Sequence, residues 1–156
     1  MKLTLRPLDP AAFAPFGTVT ELAPGAAPIR LVDEIVNARP TARLHVDFTT
    51  APACPLPLEA KLFERHPGNS QSFIPLAVTR SLILVAPADA AGNPDLGAAQ
   101  AFAASGGQAI TYRRGVWHHP LSALDAPGFF AILTFRAGDD GDTVFFTPPE
   151  PLIISA

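Results

Sequence analysis

Two short polar segments hold the side chains with the widest chemical range in this sequence. The first, residues 64–71, contains Glu64 and His66, and the second, residues 112–120, contains His118. Imidazole exchanges protons near neutral pH and binds divalent metals, and a nearby carboxylate can orient it or relay a proton. The two segments therefore predict a proton-transfer or metal site, provided that the fold brings them together.

Strand geometry predicts which of these side chains share a face. Glu64 and His66 are two residues apart, so a β-strand points both to the same side. A turn over 67–69 would form a hairpin that returns Gln71 close to that face. His119, the residue after His118, is expected to point to the other side of their strand.

The elements that must position these residues are predicted to be β-strands. Eighteen prolines and eleven glycines (29 of 156 residues) break helices and place many turns between short segments. The run 81–86 is apolar on both faces, which is typical of a strand covered on both sides. Strands are expected at 3–5, 42–48, 58–65, 71–76, 80–86, 108–113, 116–119, 129–136 and 143–146.

Two helical elements and one acidic turn complete the expected architecture. Asp9 and Pro10 are typical of the start of a single helical turn. Similar capping residues at 93–95 predict a helix over 93–104, packed outside a β-barrel. The acidic run 138–142 is interpreted as a solvated hairpin turn rather than a calcium loop.

The spacing of the polar residues resembles the two sequence motifs of the cupin superfamily. Residues 64–71 (Glu-x-His-x4-Gln) have the form of the first motif, His-x-His-x3–4-Glu, with two ligand types exchanged. Residues 113–118 (Arg-x-Gly-x-x-His) have the form of the second motif, Pro-x-Gly-x-x-His, with arginine in place of proline. The resemblance implies an all-β, jelly-roll β-barrel of the cupin type with a degenerate ligand set. That set is Glu64, His66, Gln71 and His118. The cupin register also implies that His66 and His118 approach one another inside the barrel.

A closer resemblance covers most of the chain. The runs Glu-Arg-His-Pro (64–67), Gln-x-Phe-Ile-Pro (71–75) and Gly-Val-Trp-His-His-Pro-Leu (115–121) are similar to those of the ureidoglycolate lyase family, formerly called ureidoglycolate hydrolase. The amino terminus also resembles that family. Departures from the pattern around 24–36 and 48–60 concern the expected entry loops rather than the central pocket.

The resemblance implies cleavage of (S)-ureidoglycolate to glyoxylate and urea, late in allantoin and purine breakdown. The elimination needs a base for the substrate hydroxyl, an acid for the departing urea nitrogen and a cation for the carboxylate. His66 or His118 would be the base, Glu64 would orient a histidine or relay a proton, and Gln71 would hydrogen-bond the ureido amide. Direct urea release and hydrolysis to ammonia and carbon dioxide both stay open.

The substrate-binding residues expected from the motifs are Arg114, Arg65, Arg113 and Trp117. Arg114 is the first choice for binding the substrate carboxylate. Strand alternation would place its side chain on the same face as that of His118, four residues later. A planar guanidinium grips a carboxylate with two parallel N–H groups. Arg65 and Arg113 are the next candidates.

The use of a metal is left open by the sequence. Members of the family have been associated with divalent metals, Ni²⁺ among them, and imidazole suits nickel. His66, His118 and Glu64 are strong ligands and Gln71 is a weak one. A bound metal would polarise the substrate hydroxyl and replace a dedicated base.

Two other functions fit the cupin resemblance. One is a catalytically silent cupin that binds a small acid or sugar, or regulates a partner. The other is a different metal-dependent cupin enzyme, such as a dioxygenase or isomerase, although the missing motif-one histidine argues against oxygen chemistry. His45 and Cys54 are interpreted as ordinary strand and loop residues, and a structural hydrogen bond for His119 is as plausible as catalysis.

Composition excludes several broad classes. With 48% hydrophobic and 16% charged residues, the chain has enough apolar material for a packed core. A net charge of −3 without a basic run argues against nucleic acid, and no apolar run has transmembrane or signal-peptide character. With one cysteine and no such segment, we expect a cytoplasmic, single-domain protein over 1–156.

A homodimer is also expected, because the exposed edges of apolar strands need to be covered.

Overall fold

The computed structural model describes residues 1–31 and 34–156, and β-strands account for most of its regular structure. The all-β fold class predicted from the sequence is confirmed. In chain order the strands are β1 (Lys2–Thr4), β2 (Arg6–Pro7), β3 (Gly17–Glu21), β4 (Arg43–Ala51), β5 (Leu58–Ala60), β6 (Phe63–Arg65), β7 (Gln71–Ala77), β8 (Arg80–Ala86), β9 (Gln100–Ser105), β10 (Gln108–Tyr112), β11 (Trp117–His118), β12 (Ser122–Ala123), β13 (Gly128–Arg136), β14 (Val144–Phe146) and β15 (Leu152–Ser155).

The strands form three sheets. One has five antiparallel strands in the order β3-β10-β7-β13-β4. A second has seven strands in the order β14-β6-β11-β8-β9-β2, with β12 also paired to β8. The third has the order β1-β15-β5, and its first two strands run parallel.

The seven-stranded sheet is the middle layer of the molecule. On one side, Ile83 and Val85 of β8 pack with Phe73 and Tyr112 of the five-stranded sheet. On the other side, Leu82 and Leu84 pack with Leu152 and Ile154 of β15, among others. Burial of each such side chain stabilises the fold by about 1.5–3 kcal/mol. This double burial explains why β8 is apolar at successive positions, and it confirms the prediction for 80–86.

The expected single helical turn is also present as α1 (Pro10–Phe13). The Asp9 side chain accepts a hydrogen bond from the backbone N–H of Ala12, as an N-cap residue does. Phe13 is fully buried and anchors the turn to the core. Within the described residues, no helix has the length and apolarity that a membrane crossing requires.

The predicted helix over 93–104 is wrong. Asp95 does cap a helical turn, but that turn is a 3-10 helix of three residues, Leu96–Ala98. The chain then extends into β9, which pairs with β8 over six positions and buries Phe102. Pairing inside the middle sheet overrides the helical propensity of this alanine-rich segment.

The hairpin predicted between Glu64 and Gln71 is also wrong, because β6 and β7 belong to different sheets. The turn over 66–70 instead crosses from the seven-stranded sheet to the five-stranded sheet. The loop 138–142 makes a second crossing of the same kind, from β13 to β14, and is therefore not a hairpin either. The predicted strand 58–65 is divided into β5 and β6, which also lie in different sheets.

Candidate active site

His118 and Glu64 are direct neighbours in the middle sheet. β11 pairs with β6 so that these two residues lie opposite each other, and the His118 Nε2 is 3.4 Å from the Glu64 Oε1. The His118 Nδ1 donates to the backbone carbonyl of Val116 at 2.9 Å. Because a carbonyl only accepts, Nδ1 carries a proton and Nε2 is the atom that faces Glu64.

His66 directly follows β6, and its ring approaches that of His118. The two ring centroids are 5.5 Å apart, as expected from the sequence. The His66 Nδ1 donates to the carbonyl of Asp142 at 3.0 Å and lies 3.3 Å from the Thr143 hydroxyl. The His66 Nε2 is buried and has no hydrogen-bond partner among the described residues. This nitrogen is therefore available to a ligand.

Gln71 reaches the same point from the opposite sheet. It is the first residue of β7, it is 7% exposed, and its Oε1 lies 3.0 Å from the His118 Nε2. The structure thus brings together Glu64, His66, Gln71 and His118, which we call the four-residue cluster. Its members come from both facing sheets, so the packing of those sheets determines its geometry.

Tyr112 forms one wall of the four-residue cluster and was not assigned a role from the sequence. Its ring stacks on His118 with centroids 4.1 Å apart and planes 17° apart. Phe73 packs edge-on against both rings. The Tyr112 hydroxyl is buried without a partner in the described part of the chain, and burial with the nearby Glu64 charge raises its pKa. It is therefore a neutral hydrogen-bond donor. The register Tyr112↔Gln71 explains its position, and a pairing register is not visible in one sequence.

The charges in the cluster follow from burial and from mutual contact. Burial lowers the pKa of His66, and the neighbouring positive charge of His118 lowers it further, while the Asp142 carbonyl opposes both effects. The His66 ring is therefore neutral at pH 7. Burial raises the pKa of Glu64, but its contacts with the His118, His66 and His119 imidazoles outweigh burial, so the pKa lies below its usual value. Glu64 is ionised.

The donor atoms of the cluster suit a cation. Glu64, His66 and His118 each offer a ligand atom, and these atoms all lie within 4.8 Å of one another. Both imidazoles have Nδ1 anchored on a backbone carbonyl, which fixes Nε2 as the ligand nitrogen, as in metal centres with an ordered outer shell. Lone pairs that converge on one point repel unless a proton or a metal ion lies among them. The residues therefore fit a divalent metal of the nitrogen–oxygen type, nickel included.

The expected substrate-binding residues are not all near the cluster. Trp117 is 2% exposed and lies in the core on the other face of β11, where its Nε1 donates to the Gly92 carbonyl at 3.0 Å. The Arg65 guanidinium lies 4.6 Å from the centre of the Trp117 ring, also on that face. Strand alternation accounts for both placements, because Arg65 and Trp117 are sequence neighbours of cluster residues.

Arg113 and Arg114 lie in an exposed turn that ends at Gly115, whose φ of 76° favours glycine. Strand parity therefore does not apply to Arg114, and the predicted shared face with His118 is not formed. Both arginines line a cleft of about 410 Å³ together with Ser70, Thr111 and Tyr112, among others. The Tyr112 ring lies between this cleft and the cluster, because it lines the cleft and stacks on His118.

The remaining titratable candidates have structural contacts or lie on the surface. The His119 Nδ1 donates to the Pro120 carbonyl at 2.8 Å, and burial lowers the pKa of this ring. His45 is exposed on β4. The Cys54 thiol contacts only the Pro52 carbonyl, at 3.8 Å, among the hydrogen-bonding groups of the described residues.

Facing β-sheets with an imidazole, carboxylate and amide cluster between them define a small all-β protein with a proton-transfer or metal site in its interior. The chain belongs to the ureidoglycolate lyase family. The sequence profile of that family, described as Ureidoglycolate lyase, matches residues 1–154. The family resemblance drawn from residues 64–75 and 115–121 is confirmed.

Relatives named ureidoglycolate lyase are similar to this chain over nearly their whole length. One from Azotobacter vinelandii is 38% identical over 162 residues, which cover 97% of this chain and 96% of the relative. One from Pseudomonas savastanoi pv. phaseolicola is 34% identical over 163 residues, with 98% and 95% covered. One from Stutzerimonas stutzeri is 33% identical over 162 residues, with 97% and 94% covered.

Proposed function

We propose that this protein is a ureidoglycolate lyase that cleaves (S)-ureidoglycolate to glyoxylate and urea. The observation that carries the proposal is the pairing of a neutral, unpartnered His66 Nε2 with an ionised Glu64 beside His118. Membership of the ureidoglycolate lyase family gives this site, with His66 as base and His118 as acid, its substrate.

The proposed reaction is an elimination that breaks the O–H and C–N bonds of the substrate and converts its C–O single bond to C=O. His66 Nε2 takes the proton of the substrate hydroxyl, and the O–H electron pair forms the aldehyde C=O of glyoxylate. The C–N bond breaks, and its electrons go to the ureido nitrogen. His118 gives its Nε2 proton to that nitrogen, which completes urea. The Glu64 carboxylate stabilises the protonated His118 ring.

The proposed binding groups are Gln71, Tyr112 and Arg114. The Gln71 amide hydrogen-bonds the ureido group, and the neutral Tyr112 hydroxyl offers one further donor. Arg114 binds the substrate carboxylate at the rim of the cleft, with Arg113 beside it. Arg65 and Trp117 contact each other on the far face of the sheet, which favours Arg114 as the carboxylate partner.

A divalent metal such as Ni²⁺ would be held by His66, His118, Glu64 and Gln71. When bound, it supplies Lewis-acid polarisation of the substrate hydroxyl and so lowers the pKa of that group. The anchored Nδ1 atoms of both histidines serve either case, because they leave each Nε2 directed into the cluster.

The direct test is incubation of the purified protein with racemic ureidoglycolate, with and without a chelator. We expect equimolar glyoxylate and urea from half of the substrate, without ammonia. Release of ammonia instead of urea would identify hydrolysis, and no glyoxylate in either the chelated or the Ni²⁺-supplemented sample would overturn the proposal. Loss of turnover in chelator that returns with Ni²⁺ would identify metal use.

The finer structural assignments are also proposals. We propose a cupin-type barrel that forms one domain over 1–156, because the facing five- and seven-stranded sheets enclose the motif residues and β1 pairs with β15. The proposed compartment is the cytoplasm, since one cysteine can form no intramolecular disulfide.

A homodimer is proposed through the outer face of the five-stranded sheet. β4 is the edge of that sheet and exposes Leu44, Val46 and Phe48 by 50%, 49% and 66%, with Phe129 of β13 stacked on Phe48. A contiguous apolar face of this kind is typical of an interface. A second copy would cover both this face and the free edge of β4.

A further inference from the structure

Arg39, in the segment before β4, contacts the turn that carries His66. The backbone N–H of Ala38 donates to the carbonyl of Gly68 at 2.8 Å, so the chain at Arg39 lies against this turn. The Arg39 side chain then passes directly over Gly68, where a Cβ would overlap its Cδ and Cγ. The absence of a side chain at residue 68 is therefore what gives Arg39 its path.

The Arg39 guanidinium continues to the crossing loop 138–142. Its Nη2 donates to both carboxylate oxygens of Asp139, at 2.7 and 2.6 Å, and its Nη1 donates to the Asp142 Oδ1 at 2.6 Å. The Asp142 carboxylate also accepts from the backbone N–H groups of Ala137 and Gly138, at 2.8 and 2.7 Å. The Arg39 guanidinium thus fixes the positions of Asp139 and Asp142 in this loop.

Asp142 is the residue whose backbone carbonyl accepts from the His66 Nδ1. That hydrogen bond keeps the proton on Nδ1 and the lone pair on the buried Nε2. The other side of His66 is also fixed, because its backbone carbonyl accepts from the N–H of Gly115 at 2.9 Å. The ring orientation therefore depends on the position of the loop relative to the turn, and the Arg39 side chain contacts both.

We infer that Arg39 is a positioning residue for His66. Arg39 contacts two segments, the turn that carries the His66 backbone and the loop that orients the His66 ring. These contacts fix the position of one segment relative to the other. The inference rests on the proposed function only where kcat is measured. The tautomer of His66 is measured without substrate and does not depend on that function.

The test compares Arg39→Ala and Arg39→Lys with Arg80→Ala. Arg80 is the control, since its guanidinium also donates twice to a surface carboxylate, that of Asp125, but at the far end of β8. For Arg39→Ala we expect kcat on ureidoglycolate to fall about ten- to a hundredfold, as for outer-shell partners of site histidines, with KM within about twofold. Arg39→Lys should recover part of kcat, because an ammonium keeps the charge but lacks the planar fork by which Arg39 contacts both carboxylates. Arg80→Ala should equal the wild type.

The second readout is the ¹⁵N NMR spectrum of the His66 ring in the metal-free protein. The wild type should show one tautomer, with the proton on Nδ1, and Arg39→Ala should show averaging between both nitrogens. An Arg39→Ala protein with wild-type kcat and a wild-type His66 spectrum would overturn the inference. Absence of turnover in the wild type would defeat the proposed function, and the spectrum would still decide the role of Arg39.

Gly68→Ala gives an independent route that keeps the arginine. The added methyl group occupies the path of the Arg39 stem, so we expect the same loss of kcat and the same averaging of the His66 signals. The double variant with Arg39→Ala should lose no more than Arg39→Ala alone, because both changes act through one contact. Additive losses would show that Gly68 acts on His66 without Arg39 and would contradict this route. If Arg39→Ala does not fold, Arg39→Lys and Gly68→Ala carry the test.

Discussion

The two ring nitrogens of His66 have separate tasks, and a His66→Asn substitution can separate them. The side-chain amide N–H group of the introduced asparagine would replace Nδ1 as the donor to the Asp142 carbonyl, whereas nothing would replace Nε2. We expect kcat/KM for glyoxylate release to fall about 10²–10⁴-fold, the usual contribution of a positioned proton acceptor. Steady-state kinetics of the folded variant measures this loss.

The thermal midpoint of His66→Asn is its folding control and should lie near that of the wild type. A variant that folds and retains wild-type kcat/KM would exclude His66 Nε2 from the reaction. In that case the base lies elsewhere in the cluster, with His118 as the next candidate.

Arg114 is exposed, so its contribution to carboxylate binding is partly screened by solvent. We expect Arg114→Ala to raise KM about tenfold, which corresponds to about 1.4 kcal/mol, with little change in kcat. Arg114→Lys keeps the charge but loses the planar pair of donors, so it should also raise KM, by less. An unchanged KM in Arg114→Ala would move the carboxylate site to Arg113.

At the residue scale, the resemblance to the cupin motifs predicted that His66 and His118 lie close together, with Glu64 and Gln71 beside them. A short motif of this kind implies a geometry, because side chains two residues apart on a β-strand point to the same face. Tyr112 and Arg39 were not found, since their partners come from pairing registers and loop crossings that join distant segments. For Arg114, strand alternation gave no valid face, because a turn interrupts the strand pattern before Gly115.

Among the elements, the crossing loop 138–142 should make acid stability depend on Asp142. Hydrogen bonds from the N–H groups of Ala137 and Gly138, with the Arg39 charge, outweigh burial and lower the pKa of Asp142. The stabilisation is therefore complete above the unfolded pKa of about 3.9 and is lost as the pH falls through the lower folded value. Asp142→Asn should unfold at lower urea concentration than the wild type at pH 7.

The difference between Asp142→Asn and the wild type should shrink as the pH falls below about 4, because protonation removes the same charge from the wild type. Asp140→Asn, an exposed change in the same loop, is the control and should match the wild type throughout. A urea midpoint difference that stays constant on acidification from neutral pH would contradict the role given to this carboxylate.

The strand pattern was the more reliable part of the element prediction, and the segment 93–105 shows why the helix was not. Most strands alternate or are apolar throughout, and their long-range pairing agrees with that local pattern. In 100–105, by contrast, alanine and glutamine favour a helix locally, while β8 and β2 offer two strand edges at once. Local propensity cannot predict that these strand edges are available for pairing, because they are formed by residues far away in the sequence.

At the scale of the whole molecule, the exposed face of β4 should control assembly. Phe48→Glu places a charge in the apolar face formed by Leu44, Val46, Phe48 and Phe129, and a charge buried in an interface without a partner is costly. Light scattering should give a wild-type mass of twice 16.4 kDa and a monomer mass for Phe48→Glu. Phe145→Glu, on the edge strand of the other sheet and 61% exposed, is the control and should stay dimeric.

A dimeric Phe48→Glu protein would contradict the proposed interface, whatever its activity. A monomeric wild type at micromolar concentration would exclude a stable dimer altogether. Equal masses for the two glutamate variants, both below the dimer, would indicate general solubility effects rather than a specific face.

The four-residue cluster takes side chains from both facing sheets. We therefore expect a ligand bound to the cluster to raise the melting temperature of the protein. A molecule held by Glu64 and Gln71 together binds only when the sheets are packed, so it shifts the folding equilibrium by mass action. At a hundred times its dissociation constant the gain is about 2.7 kcal/mol, which corresponds to several degrees in the melting temperature of a domain of this size. A melting curve is then an assay for the pocket that requires no turnover, and acids, ureides and metal ions can be ranked with it.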